Sequence, residues 1–69
     1  MFILQWKNKY SGDIGYVKSI SSKRKCFENT FDKAEAKQYS TASVAARMIT
    51  MLAAYGEADN NDFTVISVH

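Results

Sequence analysis

Proline is absent from this chain, cysteine and tryptophan occur once each, histidine occurs once, and there are three glycines in 69 residues. Each scarcity removes a class of function. A single thiol cannot close an intrachain disulfide, and without a CxxC pair or a second cysteine the chain supports neither a secreted disulfide scaffold nor a thiolate zinc site. A reducing cytoplasm is the compartment this usage fits. The only imidazole belongs to His69, a terminal position from which a base is poorly held against a nucleophile, so Ser-His and Cys-His chemistry finds no support. Cys26 reads as a small strand residue for the same reason: a reactive thiol would need a resolving thiol or a histidine partner.

Long apolar runs and phosphate cradles are missing as well. The apolar start "MFILQW" is far shorter than the ~20 residues a membrane span requires, and it lacks the basic start and cleavage region of a signal peptide. No GxxxxGK loop occurs; Gly12 and Gly15 fall in a turn and in the strand after it. "EADNND" lacks the spacing and closing glutamate of a calcium loop, so Glu57, Asp59 and Asp62 read as residues that solubilise a connection. The expectation is a protein that is not an enzyme and needs no cofactor or metal.

What is present is an apolar fraction of 46%, with four Phe, four Tyr and one Trp, enough for one globular domain spanning residues 1–69. A chain this short buries only about 60% of the surface its unfolded form exposes, and about 3–5 kcal/mol of stability is all a single core of this size supplies. The net charge of +2 conceals an asymmetry: residues 1–25 hold six Lys/Arg and one acid, residues 26–69 three Lys/Arg and six acids. Such a split can create a basic face for an anionic partner.

"FILQWK" alternates Phe2, Leu4 and Trp6 on one face with Ile3, Gln5 and Lys7 on the other, the pattern of a strand. "NKYSGD" carries turn residues and should reverse the chain into a second strand, "IGYVKSI". "SSKRK" is a polar connection to a third, "CFENTF", with Cys26, Glu28 and Thr30 facing one way and Phe27, Asn29 and Phe31 the other. Asp32 followed by Glu35 forms a capping-box variant, predicting a short helix to about Tyr39 with Phe31 stapling against Ala36. Ser40 and Thr41 cap the longer helix "ASVAARMITMLAAY", and Gly56 ends it. Ser43, Arg47, Thr50 and Ala54 mark its polar stripe. "FTVISV" is a final strand, and its apolar residues on both faces predict an interior place in the sheet. The fold class is therefore α+β: an antiparallel sheet of three to four strands in the order β-β-β-α(short)-α-β, with the main helix packed on one face.

The run "AKQYSTASVAARMITMLAAYGE" followed by "DFTVISV" resembles, in its A-x-x-Y-S/T-x₃-A spacing and its closing strand, small uncharacterised accessory proteins of bacteriophages and prophages of Gram-positive bacteria, a pool that includes anti-CRISPR and other anti-defence proteins. The resemblance covers the C-terminal half and contains no chemical motif. It implies a binding protein that inhibits or modulates a larger host protein, such as a nucleic-acid-processing nuclease, by stoichiometric contact.

For such contact the residues to consider are Lys7, Lys9, Lys18, Lys23, Arg24 and Lys25, with Tyr10 and Tyr16 as aromatic contacts. The same set supports an alternative, a small nucleic-acid-binding module in which cations touch phosphate and rings stack on bases, although a pI near 8.8 is mild for that role. A structural homodimer is a further alternative, since pairing would enlarge a small core. The sheet face opposite the helix is the natural binding surface, with Ile3, Gln5, Lys7 and the basic connection "SSKRK" on it or beside it.

Overall fold

The first thirty residues form a three-stranded meander. In the computed structural model, which describes residues 1–68, the alternating apolar start is β1 (Phe2–Asn8), the chain reverses into β2 (Ile14–Ser21), and a second reversal leads to β3 (Cys26–Thr30). The first turn is held by the Asn8 side chain, which accepts from the backbone N–H of both Tyr10 and Ser11, while Gly12 takes a φ of 77° that glycine reaches without steric cost. A 13-residue helix, α1 (Ala42–Ala54), and a last strand, β4 (Asn61–Ser67), complete the fold. Strand order is β3-β2-β1-β4 with every neighbouring pair antiparallel, so the fold is α+β with one main helix on one sheet face. No helix among the described residues is long and apolar enough to cross a membrane. His69 lies outside the described residues, and with it the expectation of an exposed imidazole.

Helix α1 starts and stops where its capping chemistry directs. The Thr41 hydroxyl accepts from the Val44 N–H at 3.2 Å, and Gly56, at φ 89°, supplies the left-handed residue that closes the last turn. Ala45 and Leu52 are fully buried and meet Leu4, Trp6 and Val17 from the sheet, while Ser43, Arg47, Thr50 and Ala54 are exposed. The sheet coils around this core. Phe27 and Phe63 come from strands at opposite edges, about 14 Å apart were the sheet flat, yet their ring centroids lie 5.5 Å apart in an edge-to-face pair.

Three expectations need correction. The short helix is only a single 3-10 turn, Lys33–Glu35. Asp32 does cap it, accepting from the Ala34 N–H at 2.9 Å. Glu35, however, accepts from the Thr30 hydroxyl, and Phe31 sets its ring edge-on to Trp6 at 5.6 Å. Beyond Ala36 the chain is drawn out straight: the Lys37 N–H donates to the Val17 carbonyl, and Tyr39 exchanges two backbone bonds of 2.7 and 2.8 Å with Phe2. β1 and β2 pair directly only near the first turn, at Gln5, Trp6 and Lys7. Beyond Gln5 and Tyr16 the two strands part, and residues 37–39 stand between them, bonded to Val17 of β2 and Phe2 of β1; a separate irregularity interrupts the β2–β3 register between Val17 and Ser19.

β4, expected inside the sheet, is an edge strand. Phe63 and Val65 point to the core under α1, and Ile66 stands beside Ile3 on the far face. Ile3 itself, expected on an open binding face, is 1% exposed, with Lys33, Ala34 and Gln38 around it. Both faces of β4 are covered in part, which explains apolar residues on both without a strand on each side. The face opposite the helix is thus only partly free, over Gln5, Lys7, Ile14, Tyr16 and Thr64.

Candidate interaction site

Successive turns of an antiparallel meander fall at opposite ends of the sheet, and this divides the basic residues. Lys7 pairs across from Ile14 at the start of β2, whereas Lys23, Arg24 and Lys25 occupy the turn after its last residue, Ser21. Eight strand residues place these groups roughly 25 Å apart. The six cations therefore do not form one patch.

At the first end, Lys9 pairs with Asp62 at 3.8 Å, and Asp13, Glu57 and Asp59 belong to the connections there, so the local field is negative. Lys18 lies mid-sheet between Glu28 at 3.5 Å and Glu35 at 3.8 Å; its charge is spent inside the molecule. Tyr10 stands 81% exposed in the first turn, and Tyr16 is half-buried on the sheet face opposite the helix. Neither ring accompanies the basic turn, and Trp6, 5% exposed, is a core residue.

The opposite end is cationic. Lys23, Arg24 and Lys25 are exposed and have no ion pair among the described residues. The turn is fixed in shape: the Arg24 N–H donates to the Ser21 hydroxyl at 3.2 Å, and Lys25 adopts a left-handed φ of 54°, unusual for a residue with a side chain. The N-terminus of α1 opens at this end, because Tyr39 is tied to Phe2 two residues before the cap, and its dipole adds positive potential.

Beside the turn runs an open groove of about 310 Å³ lined by Ser19, Ile20, Ser22, Lys37, Tyr39, Met48 and Met51. Its floor is apolar, from Ile20 and the two methionines, and Lys37 and Ser22 give it a polar rim. Methionine suits such a position because its unbranched thioether adapts to differently shaped occupants. Burial pushes the Tyr39 phenol above its ordinary value of 10.0, so it remains a neutral hydroxyl at physiological pH. Sequence reasoning missed Lys37, Tyr39 and both methionines as site residues. Only the i, i+3 spacing of Met48 and Met51 on one helix flank hinted at them, and the parting of β1 and β2 that opens the groove has no local signature.

Cys26 follows the basic turn and is half-buried. Among the described residues no three His, Cys, Asp or Glu side chains assemble into a group that could hold a metal ion. Comparison of the chain with protein-family models, with curated proteins and with solved structures gives no match.

Proposed function

We propose that this chain is a non-enzymatic binding protein of phage or mobile-element type that inhibits or modulates a larger host protein by stoichiometric contact. The partner class implied by the resemblance of its C-terminal half is a nucleic-acid-processing defence nuclease. The observation that carries the reading is the end formed by Lys23, Arg24, Lys25 and Lys37, where cations that have no ion pair among the described residues border a methionine-floored groove. An apolar centre with a charged, solvated rim is how protein interfaces divide their work. The partner surface that complements it is acidic, with one protruding apolar side chain to enter the groove.

Nucleic acid would also answer the charge. Against it, the rings that could stack on bases lie elsewhere: Tyr10 at the far end, Tyr16 mid-sheet and Trp6 in the core. With the exposed Tyr10 ring at the far end and the half-buried Tyr39 beside the turn set in the groove wall, the arrangement favours a protein partner over single strands.

The test is affinity capture from nuclease-treated bacterial lysate, comparing the native chain with a Lys23→Ala, Arg24→Ala, Lys25→Ala variant. A discrete protein retained in fixed ratio by the native chain, eluted by salt, and held at least about tenfold more weakly by the variant is the expected result. Equal retention by both chains refutes the assignment of the turn, and recovery of nucleic acid in untreated lysate with no protein refutes the reading itself.

A further inference from the structure

The backbone hydrogen bonding leaves one edge of the sheet open. Val68 and Met1 exchange backbone bonds, and the Lys9 N–H donates to the Asn60 carbonyl. Bonded and non-bonded pairs alternate along an antiparallel ladder, so the bonded pairs between these are Ile3 with Ile66, Gln5 with Thr64 and Lys7 with Asp62. The N–H and C=O groups of Asn61, Phe63, Val65 and Ser67 then point away from β1, and none has a backbone partner among the described residues.

The two edges of the sheet are built differently. β3 has five residues, carries Glu28 and Asn29, and faces a break in register. β4 has seven residues in unbroken register with β1, and contains no lysine, proline, glycine or bulge. Natural edge strands that remain unpaired are usually protected by such devices.

From this we infer that β4 pairs with β4 of a second copy of the chain, antiparallel about a two-fold axis at Thr64, making one continuous eight-stranded sheet. That register is the one in which all four outward-facing residues bond, Asn61 with Ser67 and Phe63 with Val65 of the second copy. On the core side it sets an aromatic against a β-branched side chain, a favourable cross-strand pair. On the other face Thr64 meets its own equivalent and Asp62 meets Ile66, so no like charges oppose each other.

Charge and shape agree with the same axis. The two-fold lays the acidic end of each copy, with Glu57, Asp59 and Asp62, beside the opposite end of the other, where Lys33 lies next to Ser67. α1 lies over β1 and β4, so two such helices run antiparallel on one face of the joined sheet, about 9–10 Å apart from strand spacing, a normal packing distance. The flanks that meet carry Ala46 and Ala53, both exposed, on the side of α1 away from Met48 and Met51. The methionine groove and the cationic turn stay open, one at each end of the pair, so this inference stands independently of the proposed function.

The experiment uses the full chain with Cys26→Ser, so that an introduced cysteine is the only thiol. Cα atoms of a non-bonded antiparallel pair lie about 4.5 Å apart, within disulfide range, so Thr64→Cys should link into a covalent dimer at least about tenfold faster than Ser43→Cys, an exposed helix position. Light scattering should give twice 7.8 kDa, and Thr64→Lys, which opposes two ammonium groups across the axis, should weaken dimerisation at least about tenfold. A monomeric mass at high micromolar concentration overturns the inference. So does a dimer that Thr64→Lys leaves intact and in which the Thr64→Cys chain links no faster than the Ser43→Cys chain.

Discussion

Gly15 supports the Trp6 ring, and adding one methyl group there should remove roughly half of the protein's stability. Gly15 sits opposite Trp6 in the β1–β2 register, and the indole lies across it, donating its N–H to the Tyr16 carbonyl at 3.2 Å. A Cβ on Gly15 would stand 2.4 Å from Trp6 Cζ2, 2.6 Å from Cε2 and 3.0 Å from the Thr30 carbonyl oxygen. The ring would have to withdraw by more than about 1 Å to reach ordinary contact distance. Overpacking of this kind costs about 1–3 kcal/mol. Loss of the indole hydrogen bond in a site only 5% exposed adds about 1 kcal/mol, and the stiffer unfolded chain of Gly15→Ala returns about 0.4–1 kcal/mol. The net expectation is a loss of about 1–3.6 kcal/mol, about 2 kcal/mol at the middle of each range, which is roughly half of the ~3–5 kcal/mol available to a core of this size. In urea the midpoint should fall by about 2 M, followed by the fluorescence of Trp6, the only tryptophan and itself the clashing group. Circular dichroism on Trp6→Phe provides the second arm. Phenylalanine lacks the atoms that clash, so Gly15→Ala should cost less than about 1 kcal/mol in that background, a coupling of at least about 1 kcal/mol. A Gly15→Ala protein within about 0.5 kcal/mol of the native one, or an equal cost in both backgrounds, would refute the reasoning.

Thr41→Ala removes the acceptor for the Val44 N–H and should cost about 1 kcal/mol by chemical denaturation; no loss would show that α1 is held by its packed face alone. Lys25 has a φ of 54°, so Lys25→Gly should leave stability unchanged or raise it by up to about 1 kcal/mol, while Lys25→Val should lower it by more than about 1 kcal/mol. If both variants behaved alike, charge rather than backbone would govern that position. Burial raises the Tyr39 phenol above 10.0. Below pH 10 the group is neutral in both states and contributes no pH dependence, whereas above it the unfolded chain ionises first and stability falls with rising pH. Tyr39→Phe should remove that part of the alkaline slope, and superimposable melting temperatures from pH 9 to 11 would exclude the effect.

Much of the scaffold could be read from local pattern because local chemistry decides it. Period-2 alternation set β1, the turn residues of "NKYSGD" led into β2, and the caps at Thr41 and Gly56 fixed both ends of α1. The polar stripe through Ser43 and Arg47 identified its outer face. Reading failed where long-range pairing overrides such signals. Asp32 and Glu35 form a sound helix start, yet the Thr30 hydroxyl and Lys18 engage Glu35 and Phe2 draws Tyr39 into a bridge, so only one turn of helix survives. The apolar pattern of "FTVISV" could not distinguish a strand flanked by two neighbours from one covered on both faces, because either environment excludes water from both sets of side chains.

The candidate site was visible in its charges and invisible in its shape, and both follow from the meander. Six cations within 25 residues suggest a patch, but antiparallel connectivity assigns neighbouring turns to opposite ends, and acids from residues 26–69 then join Lys9 and Lys18. Of the six, and apart from Lys7 at the acidic end, what remains without an ion pair among the described residues is the basic cluster that sits within a single turn, joined by Lys37, which is twelve residues further along. Lys37 arrives there because β1 and β2 pair only from Gln5 to Lys7, and residues 37–39 bond the backbone groups beyond, at Val17 and Phe2. The same segment brings Tyr39 to the wall of the groove, facing Met48 and Met51. The irregularity that defeated the helix prediction therefore also builds the site, as expected where local preference yields to a tertiary demand. Closing that gap by restoring regular β1–β2 pairing would improve the sheet and remove the groove, which ties the proposed binding surface to the place where residues 37–39 stand between β1 and β2.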